Sequence, residues 1–189
     1  MTAEGTLADS EYQRLLGRIS ETYVTGQLRA VQAVNTQITE TYWQLGRHIV
    51  EFEQAGNLRA EYGKALIDTL AADLRLRHGK GFSRSNLVYM RLLYLRYPIS
   101  QKPSHQLSWP HYVELLKLDD ALGRGFYEKQ AITERWSVPE LKRQKAASLF
   151  LRLAASKDKV GTLQLAAQGQ IIEQPADLLL RARGERRRR

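Results

Sequence analysis

The sequence predicts an all-α protein, and three of its features support that prediction. Apolar residues recur every three or four positions through most of the chain, whereas the alternation typical of strands is scarce. Serine stands before several of these stretches at the position of a helix N-cap, and glycine or proline separates them. The length of 189 residues and the hydrophobic content of 43% suffice for one domain with a buried core.

The N-terminal part predicts two helices, the second of which is long. Ser10 followed by Gln13 fits a capping box that opens a helix ending near Tyr23. The second helix is predicted over residues 25–54, where apolar residues follow a heptad pattern with Asn35 at a core position. The core positions of this seam are Leu28, Val31, Asn35, Ile38, Tyr42, Leu45 and Ile49, flanked by Val24 and Phe52.

Two interpretations of this seam are open. The helix can pack inside its own domain, as seams of this length do in helical bundles. Alternatively it can pair with the same helix of a second chain, in which case Asn35 would fix the register and favour a homodimer.

The middle of the chain predicts a helix-turn-helix unit. A third helix is expected over residues 60–78, and a short turn over residues 79–82 follows it. Ser83 is the predicted N-cap of a fourth helix, which runs over residues 84–97 and stops before Pro98. A helix, a short glycine turn and a second helix are typical of a DNA-binding helix-turn-helix.

Further capped helices are predicted after a proline-rich loop. Ser108 caps a short helix that ends near residue 118, a second covers residues 121–136, and Ser137 with Glu140 opens a third that ends near residue 155. We therefore expect a helical domain over residues 10–155. Residues 156–180 are predicted to form an extension with a weak helical turn, and the arginine-rich tail over residues 181–189 is predicted to be disordered.

The net charge of +9 is unevenly distributed. Residues 74–118 carry eight basic side chains against Glu114 alone, a local charge of +7, and the tail adds six arginines against Glu185, or +5. Such a concentration of positive charge predicts attraction to a polyanion.

Several motifs, in this order, resemble the N-terminal domain of the YhcG family of bacterial proteins. They are Val34-Asn35, Tyr42-Trp43-Gln44-Leu45-Gly46-Arg47-His48-Ile49, residues 81–91 from Gly-Phe-Ser-Arg-Ser-Asn to Met-Arg, Leu107-Ser108-Trp109 and Trp136-Ser137-Val138-Pro139-Glu140-Leu141. The resemblance implies a helical module of DNA-binding type, usually followed by a nuclease domain of the PD-(D/E)xK type. Here the arginine-rich tail stands where that nuclease domain would begin, so the nuclease is expected to be missing from this chain and to come from a separate nuclease domain or a partner in trans.

Catalytic chemistry within the chain is not predicted. Glu140 and Lys142, with Asp119 and Asp120 upstream, superficially match a nuclease metal site, but side chains at i and i+2 of a helix diverge by about 200°. The four histidines lack metal-ligand spacing, and no phosphate-binding glycine loop is present, so neither a metal nor a cofactor is expected.

The composition also indicates a cytoplasmic location. The chain contains no cysteine, begins without the features of a signal peptide and has no run of apolar residues long enough to span a membrane.

The candidate site is the predicted helix-turn-helix unit. Arg84 could bind guanine and Asn86 adenine in bidentate fashion, while basic side chains near the turn would hold phosphates. The candidate DNA-binding residues are Arg75, Arg77, Lys80, Arg84, Ser85, Asn86, Tyr89 and Arg96. The fourth helix is apolar nearly all round, however, so a buried core helix or a contact with another protein remains an alternative.

The sequence therefore predicts a module that binds double-stranded DNA for a nuclease and has no catalytic activity of its own. The alternative is a module for protein interaction or oligomerisation that makes no contact with nucleic acid.

Overall fold

A computed structural model describes residues 3–55, 65–97, 104, 106–155 and 157–169 of the chain. These residues form eight helices and no strand, which confirms the all-α prediction. The helices are α1 (Ala3–Gln54), α2 (Leu66–His78), α3 (Arg84–Arg96), α4 (Trp109–Leu115), α5 (Ala121–Thr133), α6 (Val138–Ala146), α7 (Leu149–Ala154) and α8 (Lys159–Gln168).

The N-terminal region forms one helix of 52 residues rather than the predicted two. The predicted break near residues 23–25 is wrong, because nothing there stops a helix. Gly26 costs about 1 kcal/mol relative to alanine but keeps its backbone N–H, and no proline interrupts the hydrogen bonds.

Helix α3 lies at the centre of the fold. Its Leu87, Met90 and Leu93 are at most 1% exposed. Helix α1 packs closely on α3 at Gly46, where any Cβ atom would overlap the backbone carbonyl of Met90. Trp43 secures the same contact by donating from its indole Nε1 to the carbonyl of Tyr97 over 2.7 Å.

The larger core surrounds the end of α3 and joins α4 to α8. Tyr97 and Tyr112 meet edge to face with their ring centroids 5.5 Å apart, and Phe126 and Phe150 pack 5.4 Å apart. A smaller core between α1, α2 and α3 contains the buried Ile49, Ala71, Leu87 and Met90. Caps fix where four of these helices begin, since Ser83, Asp120, Ser137 and Asp158 each accept a hydrogen bond from a backbone N–H of the helix that follows.

Two predictions for the C-terminal half need correction. The helix predicted from Ser137 to residue 155 is divided into α6 and α7 by Ser148, whose φ of 51° is left-handed. This bend lets Leu149, Phe150 and Leu153 enter the core, where an unbroken α6 would point them elsewhere. The weak turn predicted near residues 161–167 is the helix α8, and its Leu165 and Ala166 are buried in the same core. The folded domain therefore extends beyond the predicted limit of residue 155.

The predicted heptad seam is divided between two environments. Ile49 is buried, and Tyr42 and Leu45 pack against the smaller core, so this half of the seam faces α3 of the same chain. Leu28 and Val31 are 60% and 59% exposed. The interpretation of the seam as intramolecular packing thus holds for its C-terminal half only.

The arginine-rich tail and residues 170–180 lie outside the described residues, as do Pro98 and Lys102. In the part of the chain that the structure describes, no helix is both long and apolar enough to cross a bilayer.

Candidate nucleic-acid interface

The turn between α2 and α3 is built by glycine and by two polar side chains. Gly79 adopts a φ of 87°, which a residue with a Cβ atom rarely adopts, and its N–H closes α2 on the carbonyl of Arg75. Ser83 then starts α3 by accepting a hydrogen bond from the N–H of Asn86 at 3.2 Å. The turn, α3 and the described part of α2 lie where the sequence predicted them, and residues 60–64 of the predicted helix lie outside the described residues.

Asn86 stabilises this turn from both ends of its amide. Its Nδ2 donates to the carbonyl of Gly81 at 2.6 Å, and its Oδ1 accepts from the indole Nε1 of Trp109 at 2.8 Å. The amide therefore joins the turn to the start of α4. Because both ends already have partners inside the protein, we withdraw Asn86 from the residues expected to contact a base.

Arg96 is likewise occupied within the fold. Its guanidinium donates to the carbonyls of Leu116 and Leu118 at 2.6 and 2.8 Å and pairs with Asp119 at 2.6 Å. These bonds satisfy carbonyl groups at the end of α4 that have no partner within the helix. Arg96 is thus a structural residue, and we withdraw it from the expected phosphate contacts too.

Arg84 and Ser85 lie in the exposed first turn of α3. Arg84 pairs with Asp68 of α2 at 2.8 Å, but both side chains are more than half exposed. An ion pair at such a surface contributes at most about 1 kcal/mol, so a phosphate or a guanine edge can replace the carboxylate at little cost. These two residues remain candidates for contact with DNA.

Three basic side chains of the candidate set surround the turn in exposed positions. Arg75 and Arg77 belong to the last turn of α2, and Lys80 lies in the turn itself. No ion pair involves any of the three among the residues that the structure describes. Arginines at a helix C-terminus also complement its dipole, so a purely structural role explains part of their placement.

A second group of basic residues, which we call the lysine cluster, surrounds Glu114 of α4. It consists of Lys117, Lys142 and Lys145, whose ammonium groups lie 2.6, 3.6 and 3.2 Å from the carboxylate oxygens of Glu114. Lys145 also donates to the backbone carbonyl of Glu114. One carboxylate faces three ammonium groups, so the cluster carries two positive charges in excess.

The electrostatics of the cluster explain why the carboxylate can be buried. Burial alone would raise the pKa of Glu114, but hydrogen bonds from Lys117 and Lys145 outweigh it and hold the pKa below its usual value. The bond to Glu114 raises the pKa of Lys117, whereas burial lowers that of Lys145. Lys117 and Lys142, which are 46% and 58% exposed, present the positive charge to solvent.

The lysine cluster lies near the C-terminal end of α3, because Arg96 donates to the carbonyls of Leu116 and Leu118 on either side of Lys117. Ser85 and Tyr89 lie one turn apart on that helix, nearer its start. Sequence reasoning missed this cluster, because Lys117 in the turn after α4 and Lys142 in α6 are 25 positions apart in the sequence. Only the packing of α4 against α6 brings them together.

Glu140 takes part in a helix cap rather than a metal site. Its backbone N–H donates to the Oγ of Ser137, and its carboxylate accepts from Gln144 at 2.6 Å and Arg143 at 2.9 Å. Lys142 points instead to Glu114. Among the described residues, no group of three or more potential metal ligands occurs.

Comparison with known proteins gives two matches. Residues 18–152 match the family described as the DUF1016 N-terminal domain. The chain is also 36% identical over 208 aligned positions to a protein of Escherichia coli (strain K12) named "Putative nuclease YhcG". The alignment covers 92% of this chain but 55% of that protein, so the chain spans about half of its relative's length. No solved structure matches the chain.

Proposed function

The chain belongs to the DUF1016 N-terminal domain family, and from that membership we propose that it binds double-stranded DNA on behalf of a nuclease. The relative's name refers to a nuclease, and this chain corresponds to about half of that protein. Binding of DNA is thus proposed for this half, and cleavage for a nuclease domain or a partner in trans.

The lysine cluster is the observation that supports this proposal most strongly. Lys117 and Lys142 are exposed, and both lie beside a carboxylate that is only 8% exposed, so their ammonium groups are brought close together before any ligand binds. Positive charge that is gathered before binding suits the phosphate backbone of DNA. Contacts with that backbone hold the protein in place but do not read the base sequence. Along α3, Tyr89 stands between Arg84 and Arg96, which reaches the backbone on either side of Lys117.

The turn supplies the second part of the proposed surface. Lys80 with Arg75 and Arg77 offers further phosphate contacts, and Arg84 can exchange Asp68 for a base edge. The proposed DNA-binding residues are now Arg75, Arg77, Lys80, Arg84, Ser85, Tyr89, Lys117 and Lys142.

Duplex binding by a chain shortened to residue 180 tests this proposal, because the arginine-rich tail would attract any polyanion. The logarithm of the affinity should fall linearly with the logarithm of the salt concentration, at a slope that reports several phosphate contacts. Lys142→Ala and Lys80→Ala should each weaken binding to all sequences alike and reduce the slope by about one.

Lys129→Ala is the matched control, since Lys129 is exposed on α5 outside the proposed surface. It should leave both affinity and slope unchanged. Arg84→Ala should instead cost about 1–3 kcal/mol on a preferred sequence and little on others. Absence of duplex binding at low salt, or equal losses for Lys142→Ala and Lys129→Ala, would contradict the proposal.

The proposed lack of nuclease activity needs a test of its own. Purified chain with magnesium or manganese should leave plasmid DNA intact. Glu140→Gln should change helix stability alone, because this carboxylate bonds to Arg143 and Gln144. Cleavage that disappears with this substitution would show that the chain is an enzyme.

A further inference from the structure

The N-terminal part of α1 extends away from the body of the protein. We call residues 9–38 the arm, because nearly every one of them is exposed and Thr39 is the first buried residue that follows them. At 1.5 Å per residue the arm is about 45 Å long. Helix α1 meets α3 and α4 only beyond the arm, through residues such as Tyr42, Trp43 and Gly46.

The arm carries a wide apolar face. Tyr12, Leu16, Ile19 and Tyr23 follow one another at steps of four, three and four, and Tyr12, Tyr23 and Val34 repeat at intervals of 11 residues. An interval of 11 keeps side chains on nearly the same side of a straight helix. The large apolar side chains of the arm, 38 to 65% exposed, are Tyr12, Leu15, Leu16, Ile19, Tyr23, Val24, Leu28, Val31, Val34 and Ile38.

This face is too large to be an ordinary exposed surface. Soluble proteins rarely leave more than a few hundred Å² of continuous apolar surface in water, and larger patches mark interaction sites. The charges of the arm do not favour DNA or an anionic membrane, because three acidic residues balance three arginines. A proteinaceous, apolar partner is the remaining choice.

The end of the arm restricts what can cover this face. The exposed seam through Leu28 and Val31 continues without a break into Tyr42, Leu45 and Ile49, which face α3 of the same chain. A helix lying along the arm must therefore leave this seam near residue 38. A second copy running parallel cannot do so, because its own α1 continues to Gln54 with α3 on that same side.

We propose that the arm pairs with the arm of a second copy in antiparallel orientation. In that orientation only the nine residues of the partner's α1 that precede Tyr12 extend past this point, and the partner's α3 lies at the opposite end of the arm. A twofold axis near residue 25 sets Tyr12 opposite Ile38, Leu16 opposite Val34 and Ile19 opposite Val31. Each of these contacts occurs twice, as an isologous interface requires.

The arm is long enough to form a stable interface. A standard interface buries about 800 Å² on each partner, so ten large side chains would each need to bury about 80 Å². An aromatic side chain alone can bury about 150–250 Å². Tyr12 and Tyr23 can therefore each bury more than this average of about 80 Å².

Cysteine cross-linking tests both the pairing and its direction, because the chain contains no cysteine. Leu16→Cys and Val34→Cys chains, mixed and oxidised, should form a disulfide between them. Leu16→Cys alone should not, because the two Leu16 positions lie about 27 Å apart along the antiparallel pair, far beyond disulfide reach. A disulfide of Leu16→Cys with itself would overturn the antiparallel orientation.

Light scattering of the full-length protein tests association directly. The wild type should have twice the mass of the 21.7 kDa chain, falling to the monomer mass on dilution. Leu16→Glu should yield a monomer whose body still unfolds cooperatively, whereas Arg18→Glu, on the opposite side of the arm, should remain dimeric. A monomeric wild type, or equal effects of the two substitutions, would overturn the proposal. Since the arm contains none of the proposed DNA contacts, this result is independent of DNA binding.

Discussion

The arm and the body of this protein share one helix but use its apolar seam differently. Beyond Thr39 the seam faces α3, with Ile49 buried and Gly46 in contact with the backbone of Met90. Before Thr39 the same pattern is exposed at Leu28 and Val31. Periodicity therefore identifies the apolar side of a helix without identifying what covers it.

Substitutions at two glycines of α1, one on each side of this boundary, should differ most. Gly46→Ala would force a Cβ atom into the Met90 carbonyl group, and we expect the free energy of unfolding to fall by about 3 kcal/mol or more. A Cβ atom on Gly26 would meet nothing within 4 Å, so Gly26→Ala should instead stabilise the arm by up to about 1 kcal/mol.

Urea denaturation followed by circular dichroism measures both effects. Equal destabilisation by the two substitutions would mean that the arm packs as tightly as the body. That result would contradict the separation of α1 into an exposed arm and a packed part.

Aromatic residues give a second, smaller contrast. Trp43→Phe removes the donor to the Tyr97 carbonyl and should lower the free energy of unfolding by about 2 kcal/mol. Tyr23→Phe removes only an exposed bond from Gln27 and should change it by less than about 0.5 kcal/mol. If thermal denaturation placed the two losses in the reverse order, the assignment of Trp43 to the body's framework would be wrong.

The smallest expected difference concerns pH. Burial lowers the pKa of His111, although its bond to the Trp136 carbonyl partly opposes this. The folded state therefore binds a proton less readily than the unfolded chain, where histidine titrates near pH 6.5. The contribution of His111 is fully present above about pH 6.5 and declines as the pH falls through the lower pKa of the folded state.

His111→Gln should reduce this loss of stability on acidification, as measured by denaturation at several pH values. The arm contains no histidine, so its dissociation should not follow the same pH dependence. If the free energy of unfolding of His111→Gln fell with acidification as steeply as that of the wild type, groups other than His111 would be responsible for the loss.

Local features of the fold were largely predictable from the sequence. The Ser83 and Ser137 caps lie where the pattern of serine and following residues placed them, since capping depends on a few neighbouring positions. The bend at Ser148 was not predictable in the same way. It exists because Leu149 and Phe150 gain burial beside Phe126, a contact between residues distant in sequence.

The candidate site shows why charge along the chain differs from charge on the surface. Of the eight basic residues in positions 74–118, four form ion pairs, and Lys102 lies outside the described residues. Three of the four acidic partners lie outside positions 74–118. The net charge of +7 counted for that stretch is therefore larger than its unpaired charge at the surface. The four pairs are Arg84 with Asp68, Arg91 with Glu53, Arg96 with Asp119 and Lys117 with Glu114. Conversely, Lys142 adds an exposed positive charge to this surface from a segment whose sequence charge is nearly neutral.

Hydrogen exchange of the full-length protein over a dilution series tests the central claim, that the body is held within one chain and the arm by a second copy. Amides of α3 around Met90 should stay protected at every concentration, because the body folds by itself. Amides around residues 16–34 should be protected in concentrated protein and should exchange much faster as dilution separates the arms. Protection of the arm that does not change with concentration would contradict the account, as would rapid exchange of the arm at every concentration.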